Sequence, residues 1–390
     1  MRGAAAPKQP GKPFSRPRRF PPTALRCARA RIRNVLVAGA RDPFLDGLRA
    51  VSVVRVILLH LFQCVEVQFV ALFSFFMPGM PLMFFVSGAL VGKSLANADH
   101  ARRLRFWKDR AQRLFPPFWT FGAVVLALCA AGALLWPEDP AHAFPWSSAW
   151  RWIVPLAGPQ ASAAFDELDW HTWFLSVLLS MLAAAPWTVA LHRRLPCAGA
   201  FAFLAVGATI ELARLPVPDV VRNLFLFGGC FQLGYAYADG RAQRLPRRVL
   251  VLLFASLAAL AIAFHAARAP GAMLHAVPLA LVMLGLAFVA LWIAVKPTAT
   301  RLFERGAAPR WIRSINGRAY TIYLWGPFAN DIARRIVAPK DAAGYALDFA
   351  LALALLYGIV KLLGPIEDWA AGRGKALALE RAPEDARKAA

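Results

Sequence analysis

The sequence predicts an all-α protein, a polytopic transmembrane helical bundle of about ten spans with both termini on the cytoplasmic side. Three observations predict it. Of 390 residues, 59% are apolar and 17% charged, and the mean hydropathy is +0.49; a soluble multidomain chain needs many more charges to cover its surface. The apolar residues fall in long runs divided by short basic or Pro-rich joints, as bilayer-spanning helices require. Lys and Arg also alternate between joints. With the N-terminus inside, roughly 35 of the 45 basic residues are cytoplasmic and roughly 7 lie outside.

Residues 1–40, rich in Arg, Pro, Ala and Lys, read as a disordered basic cytoplasmic tail. Val35-Leu-Val-Ala38 is too short for the apolar core of a cleaved targeting peptide. The membrane domain is expected over 41–365. Its spans are 46–65, 69–92, 117–136, 171–191, 198–214, 221–238, 248–267, 275–295, 319–337 and 345–365, each near the roughly 20 residues that a bilayer demands. Residues 366–390 read as an Ala-rich, charged cytoplasmic tail.

The first span carries Asp46, Arg49, Arg55 and His60, and ionisable groups are costly in hydrocarbon, so each is a functional candidate. At about 100° per residue, Asp46, Arg49 and His60 fall within roughly 60° of one another, with Arg55 nearly opposite. His60 lies about 21 Å beyond Asp46 along the axis. An imidazole titrates near neutrality and can take a proton from a hydroxyl and return it, whereas Asp46 is too far away to form a dyad with it. The bland alternatives are a hydrogen-bonded packing His and an interfacial cap with a snorkelling Arg.

In the second span, Ser87-Gly88 suits close helix approach, and Ser87 has no base nearby in sequence. Arg110 and Arg113 are three apart on one helix face at the cytoplasmic mouth of the third span. Guanidinium pairs bind phosphate bidentately, which suits a diphosphate-bearing donor. Plain positive-inside anchoring is the competing reading, and Arg102, Arg103 and Arg105 already satisfy it. The outer joint carries Glu138, Asp139, Asp166, Glu167 and Asp169. His171, opening the fourth span there, stands where an extracytoplasmic acceptor could reach it. Trp170 and Trp173 suit either sugar stacking or an aromatic belt. Ser314 to Arg318 reads as a loop entering the ninth span, with Tyr320 and Tyr323 on one face.

The formal charge of +23 follows membrane orientation and attraction to anionic lipid, with no nucleic-acid partner implied. Cys27, Cys64, Cys129, Cys197 and Cys230 are isolated and read as small hydrophobes, and no metal spacing is present.

Taken in order, these segments resemble the integral-membrane acyltransferase 3 family. The resemblance rests on Arg41, Leu45-Asp46-Gly47-Leu48-Arg49 and His60; on Phe84, Phe85, Ser87 and Gly88; on Arg110, Arg113 and Pro116; on Trp173-Phe174-Leu175; and on Tyr320 to Leu324. It implies acyl transfer from cytoplasmic acyl-coenzyme A, a donor substrate and not a bound cofactor, to a hydroxyl of an extracytoplasmic sugar, glycan or small molecule. The resemblance makes His60 the base, with Asp46 and Arg49 supporting the site and Arg110 and Arg113 holding the donor. His171, Trp173 and Tyr323 are assigned to the acceptor. The location implied is the plasma membrane, with cell-envelope glycan modification as the role. Three departures stand out. Ser176-Val-Leu-Leu-Ser180 lacks the carboxylate of the Ser-x-x-Glu pattern, which favours the periplasmic glucan succinyltransferase-like branch and leaves the acid partner of His60 unassigned. Trp325 replaces a frequent His, and Arg55 is an extra intramembrane charge. The rival readings are a transporter or glycan/lipid flippase, and a non-catalytic scaffold of the same fold.

Overall fold

Hydropathy and turn residues divide the chain into helices at nearly every joint the sequence marks. The protein is seen in a computed structural model that describes residues 42–62, 68–96, 99–156, 158–339 and 341–372. The 1–40 segment, Arg41, Cys27, Cys64, Glu66 and everything beyond Gly372 lie outside the described residues. Among the described residues twelve α-helices run in order: α1 Pro43–Phe62, α2 Gln68–Phe75, α3 Gly79–Leu95, α4 His100–Leu135, α5 Trp173–Arg194, α6 Ala198–Leu212, α7 Asp219–Ala238, α8 Arg247–Arg268, α9 Pro278–Ala294, α10 Lys296–Phe303, α11 Ala308–Val337 and α12 Ala342–Ala370. Short 3₁₀ turns fill the joint between α4 and α5, and the described residues contain no strand.

Among the described residues five helical segments are long and apolar enough to cross a membrane: Leu72–Leu95, Ala101–Leu135, Trp170–Arg194, Arg247–Arg268 and Ala342–Ala370. The pair α9 and α10, bent by 79°, makes a sixth if counted as one span. Helices α1, α7 and α11 fall outside that set, and all three carry polar groups turned inward, among them Arg55, Asn223, Gln232, Thr321 and Asn330. A helix that buries its polar face against neighbours has no need to be apolar all round.

Helices α3 and α7 form the packed centre. Here glycine is required: a Cβ on Gly88 would stand 1.7 Å from the Phe231 carbonyl oxygen, and one on Gly234 2.3 Å from that of Phe85. Reciprocal glycines let the two backbones touch, the small-residue contact that membrane helices use for association. Helix α1 packs on α3 and α11, and α11 on α12.

The structure adds detail at three places and corrects one expectation, the loop at Ser314. The second span, found as Leu72–Leu95, carries a local break between Phe75 and Gly79, where Met77 takes φ 47° and Pro78 supplies no N–H. Arg55 sits at that break and donates to the carbonyls of Ser74 (2.7 Å) and Phe76 (3.1 Å), so the extra charge satisfies backbone that the break exposes. The expected loop from Ser314 to Arg318 is helix, because α11 starts at Ala308 with Pro309 in its first turn. Asn316 finds its partner across the bundle, donating to the Asp46 carbonyl at 2.8 Å. Residues 366–370, at the start of the Ala-rich end whose sequence also suits a helix, continue α12 past Pro365.

Candidate active site

Asp46, Arg49, Arg55 and His60 all lie on α1, which runs unbroken from Pro43 to Phe62, and a series of cavities follows this helix. At the basic end a mouth of about 430 Å³ is lined by Asp109, Arg110, Gln112 and Arg113 of α4, with Ala370 closing α12. Arg110 and Arg113 also line a narrower neck of about 90 Å³, together with Arg49, Ser87, Tyr320 and Tyr323. Tyr323 passes into a central chamber of about 220 Å³, shared with Arg55, His60, His171, Trp173 and His275. His60, Trp170 and His275 in turn line an acidic vestibule of about 420 Å³ with Asp166, Glu167, Asp169, Asn330 and Asp331. Mouth and neck share Arg110 and Arg113, neck and chamber share Tyr323, and chamber and vestibule share His60.

Three guanidiniums converge at the neck. Arg49 lies in the fields of Arg110 and Arg113, offset by Asp46 and Glu367. Arg110 also rests over the Phe106 ring at 5.4 Å. Arg102, Arg103 and Arg105 are exposed, so anchoring is met elsewhere and Arg110 and Arg113 remain turned to the cavities. Three cations around a small cavity form a ready anion seat.

Glu367 is the residue that sequence reasoning missed. It is fully buried, and one carboxylate oxygen accepts from the Thr321 N–H (3.0 Å) and hydroxyl (2.7 Å). One turn away, Arg318 donates to the Gly364 carbonyl at 2.8 Å and pairs with Asp368 at 2.5 Å. Tyr320, beside Glu367, is buried with a hydroxyl that has no hydrogen-bond partner among the described residues. Gly364-Pro365 read as a helix end and hid this carboxylate. The usable signal was periodicity: the buried positions Gly364, Glu367 and Ala370 recur every three residues.

At the chamber, the His60 ring meets Trp170 edge-on at 5.0 Å, and Asn330 donates to the His60 carbonyl at 3.3 Å. The titratable or charged groups acting on His60 are His171, Arg55 and His275. None is a carboxylate, so neither Asp46 nor Glu367 completes a dyad. Arg55, expected on the far face, lines the same chamber as His60 because the break after α2 brings the chamber wall round to it.

The acceptor-side candidates divide. His171 is 2% exposed; the Leu324 backbone acts on its ring, yet neither ring nitrogen meets hydrogen-bond geometry with any described residue. Leaving such a group unpaired costs roughly 1–3 kcal/mol. Trp173 packs tilted against Phe227 at 5.0 Å and lines the chamber. Tyr323 is committed otherwise: its hydroxyl donates to the His171 carbonyl, so it presents its ring to neck and chamber. Outside the helices, burial pushes the Asp169 carboxyl up to about 6; the Ala161 N–H, 2.5 Å away, opposes this and the Asp166 charge adds to it. Among the described residues no group of His, Cys, Asp and Glu is arranged to hold a metal ion.

No curated protein and no solved structure matches the chain. The model of the acyltransferase 3 family, described as an acyltransferase domain, matches residues 42–361. That stretch contains α1 through most of α12 and all of the cavity-lining residues named above except Ala370. The chain therefore belongs to the acyltransferase 3 family and is a membrane acyltransferase, an enzyme that transfers acyl groups other than aminoacyl groups.

Proposed function

We infer that the protein moves an acyl group from cytoplasmic acyl-coenzyme A to a hydroxyl of an extracytoplasmic sugar, glycan or related acceptor. The observation that carries this is the series of cavities from the three-arginine neck to His60. The neck is too small for a nucleotide, whereas the mouth beyond it has the volume of a small-molecule site. Arg110 and Arg113 line both, so they are suited to hold the diphosphate at that junction. The acylated arm then extends through the neck and past the Tyr323 ring. Arg49 lies about 16 Å before His60 along the helix, a distance that an extended arm has to bridge.

In the chamber, His60 takes the proton of the acceptor hydroxyl as its oxygen attacks the thioester carbonyl carbon. The carbon–sulfur bond breaks as the ester forms, and the proton passes from His60 to the departing coenzyme A thiolate. Only the acyl group crosses. This reading puts the basic end, with both termini and the two tails, at the cytoplasmic face of the plasma membrane. It counts ten spans, supplementing the apolar set with α1, α7 and α11, whose polar faces are turned inward, and with the short α6. The His171-x-Trp173-Phe174-Leu175 element supports a place near the glucan succinyltransferase-like branch.

The test is coenzyme A release from acyl-coenzyme A by purified membranes. His60→Ala is expected to lower turnover by at least about 100-fold, the scale of a lost general base, with an unchanged detergent elution profile. Undiminished turnover in that variant contradicts the assignment.

A further inference from the structure

The vestibule has a charge that bears on what can enter it, and the inference rests on the acyl-transfer reading above. Four carboxylates line this cavity, those of Asp166, Glu167, Asp169 and Asp331, against one guanidinium, Arg334, and the imidazoles of His60 and His275. Two of the charges are answered locally. Asp331 pairs with Arg335 at 2.9 Å, and Arg334 lies in the field of Asp348, a carboxylate only 2% exposed. Asp166, Glu167 and Asp169 take part in no ion pair among the described residues. Three carboxylates without an ion-pair partner among the described residues, of which Asp169 accepts from the Ala161 N–H, thus line a cavity with His60 in its wall.

A cluster of acids on a joint is ordinarily just solvated surface. Two further observations set this one apart. The cavity is walled by the edge-on pair of His60 and Trp170, an imidazole beside an aromatic face of the kind that stacks on a sugar ring. Through that pair it continues into the chamber, where buried His171 presents ring nitrogens that no described residue hydrogen-bonds. A polyhydroxylated guest supplies those bonds. The carboxylates would accept from its hydroxyls, and charge-assisted bonds of that type are about twice as strong as neutral ones.

We propose that the acceptor is an ammonium-bearing carbohydrate, an amino sugar or an oligosaccharide containing one, and that the vestibule rejects acceptors carrying carboxylate or phosphate. Electrostatic complementarity acts first on entry and on exclusion of the wrong partner. An ammonium held among Asp166, Glu167 and Asp169 stays protonated, so it is not a nucleophile, and the acyl group goes to a hydroxyl that reaches His60.

The experiment uses the full-length protein in lipid vesicles with acetyl-coenzyme A and three probes of equal size: glucosamine, glucose and glucuronate. Product is read, after residual thioester has been removed, as ester labile to alkaline hydroxylamine, which separates O-acylation from N-acylation. Glucosamine is expected to be acylated at least about tenfold faster than glucuronate, with glucose between them. Asp166→Lys combined with Glu167→Lys, both at exposed positions, is expected to narrow or invert the ratio. Equal rates, a preference for glucuronate, or a ratio unmoved by the double variant overturns the proposal. So does failure of all three to be acylated while His60-dependent release of coenzyme A to water persists. Loss of that basal release as well would instead count against the acyl-transfer reading itself.

Discussion

Among the described residues no carboxylate is one of the groups acting on His60, so on the proposed reading its proton passes between substrates. Its neighbours are Arg55, His171 and His275, and the sequence marked only His171 as part of this group. Arg55 escaped because helical angles put it opposite His60, which is true on α1 alone; the break between Phe75 and Gly79 brings a second wall round to it. Asp169 allows a titration at the same scale. Its folded pKa of about 6 lies above the ordinary 3.8, so the folded state holds this proton more tightly than the unfolded chain. That contribution to stability is fully present below about pH 4 and is lost as pH rises through about 6. The thermal midpoint is therefore expected to fall between pH 5 and pH 7.5 by more in the native protein than in Asp169→Asn, which can still accept from Ala161. Identical falls in both would contradict a buried carboxyl here.

Helices α1, α4 and α5 could be read from the chain, and residues singled out on them line cavities: Arg49, Arg110 and Arg113 the neck, His60 and His171 the chamber. Periodicity and charge act within one helix, and these residues depend on little else. What lay beyond the sequence were the contacts between helices. The start of α11 looked like a loop because Asn316 has no partner until the Asp46 carbonyl arrives. The end of α12 looked like a tail because Glu367 and Asp368 have none until Thr321 and Arg318 arrive. Glu367 also offsets the arginines at Arg49, which gives its charge a role apart from packing. Glu367→Gln keeps an oxygen for Thr321 and removes the charge. The neck then carries more positive charge, so the donor KM is expected to fall about tenfold, ~1.4 kcal/mol, while the acceptor KM stays near its native value. A matching change in both constants, or a loss of folded protein alone, would reduce Glu367 to a structural role.

Across the whole molecule, charge runs in one direction: basic mouth, three-arginine neck, chamber of imidazoles, acidic vestibule. Composition and joint charge already gave an all-helical membrane protein with a basic side and an acidic side. They did not give the connection between the two sides, because that depends on Tyr323 and His60 each facing two cavities at once. The central claim is that the acyl donor and the acceptor meet from opposite faces. It is tested most directly in sealed vesicles of one known orientation, with acyl-coenzyme A supplied only at the face bearing Arg110 and Arg113 and glucosamine only at the other. The account expects ester to accumulate on the glucosamine side, coenzyme A to remain on the donor side, and both to vanish in His60→Ala. Ester formed only when donor and acceptor share one face would contradict it.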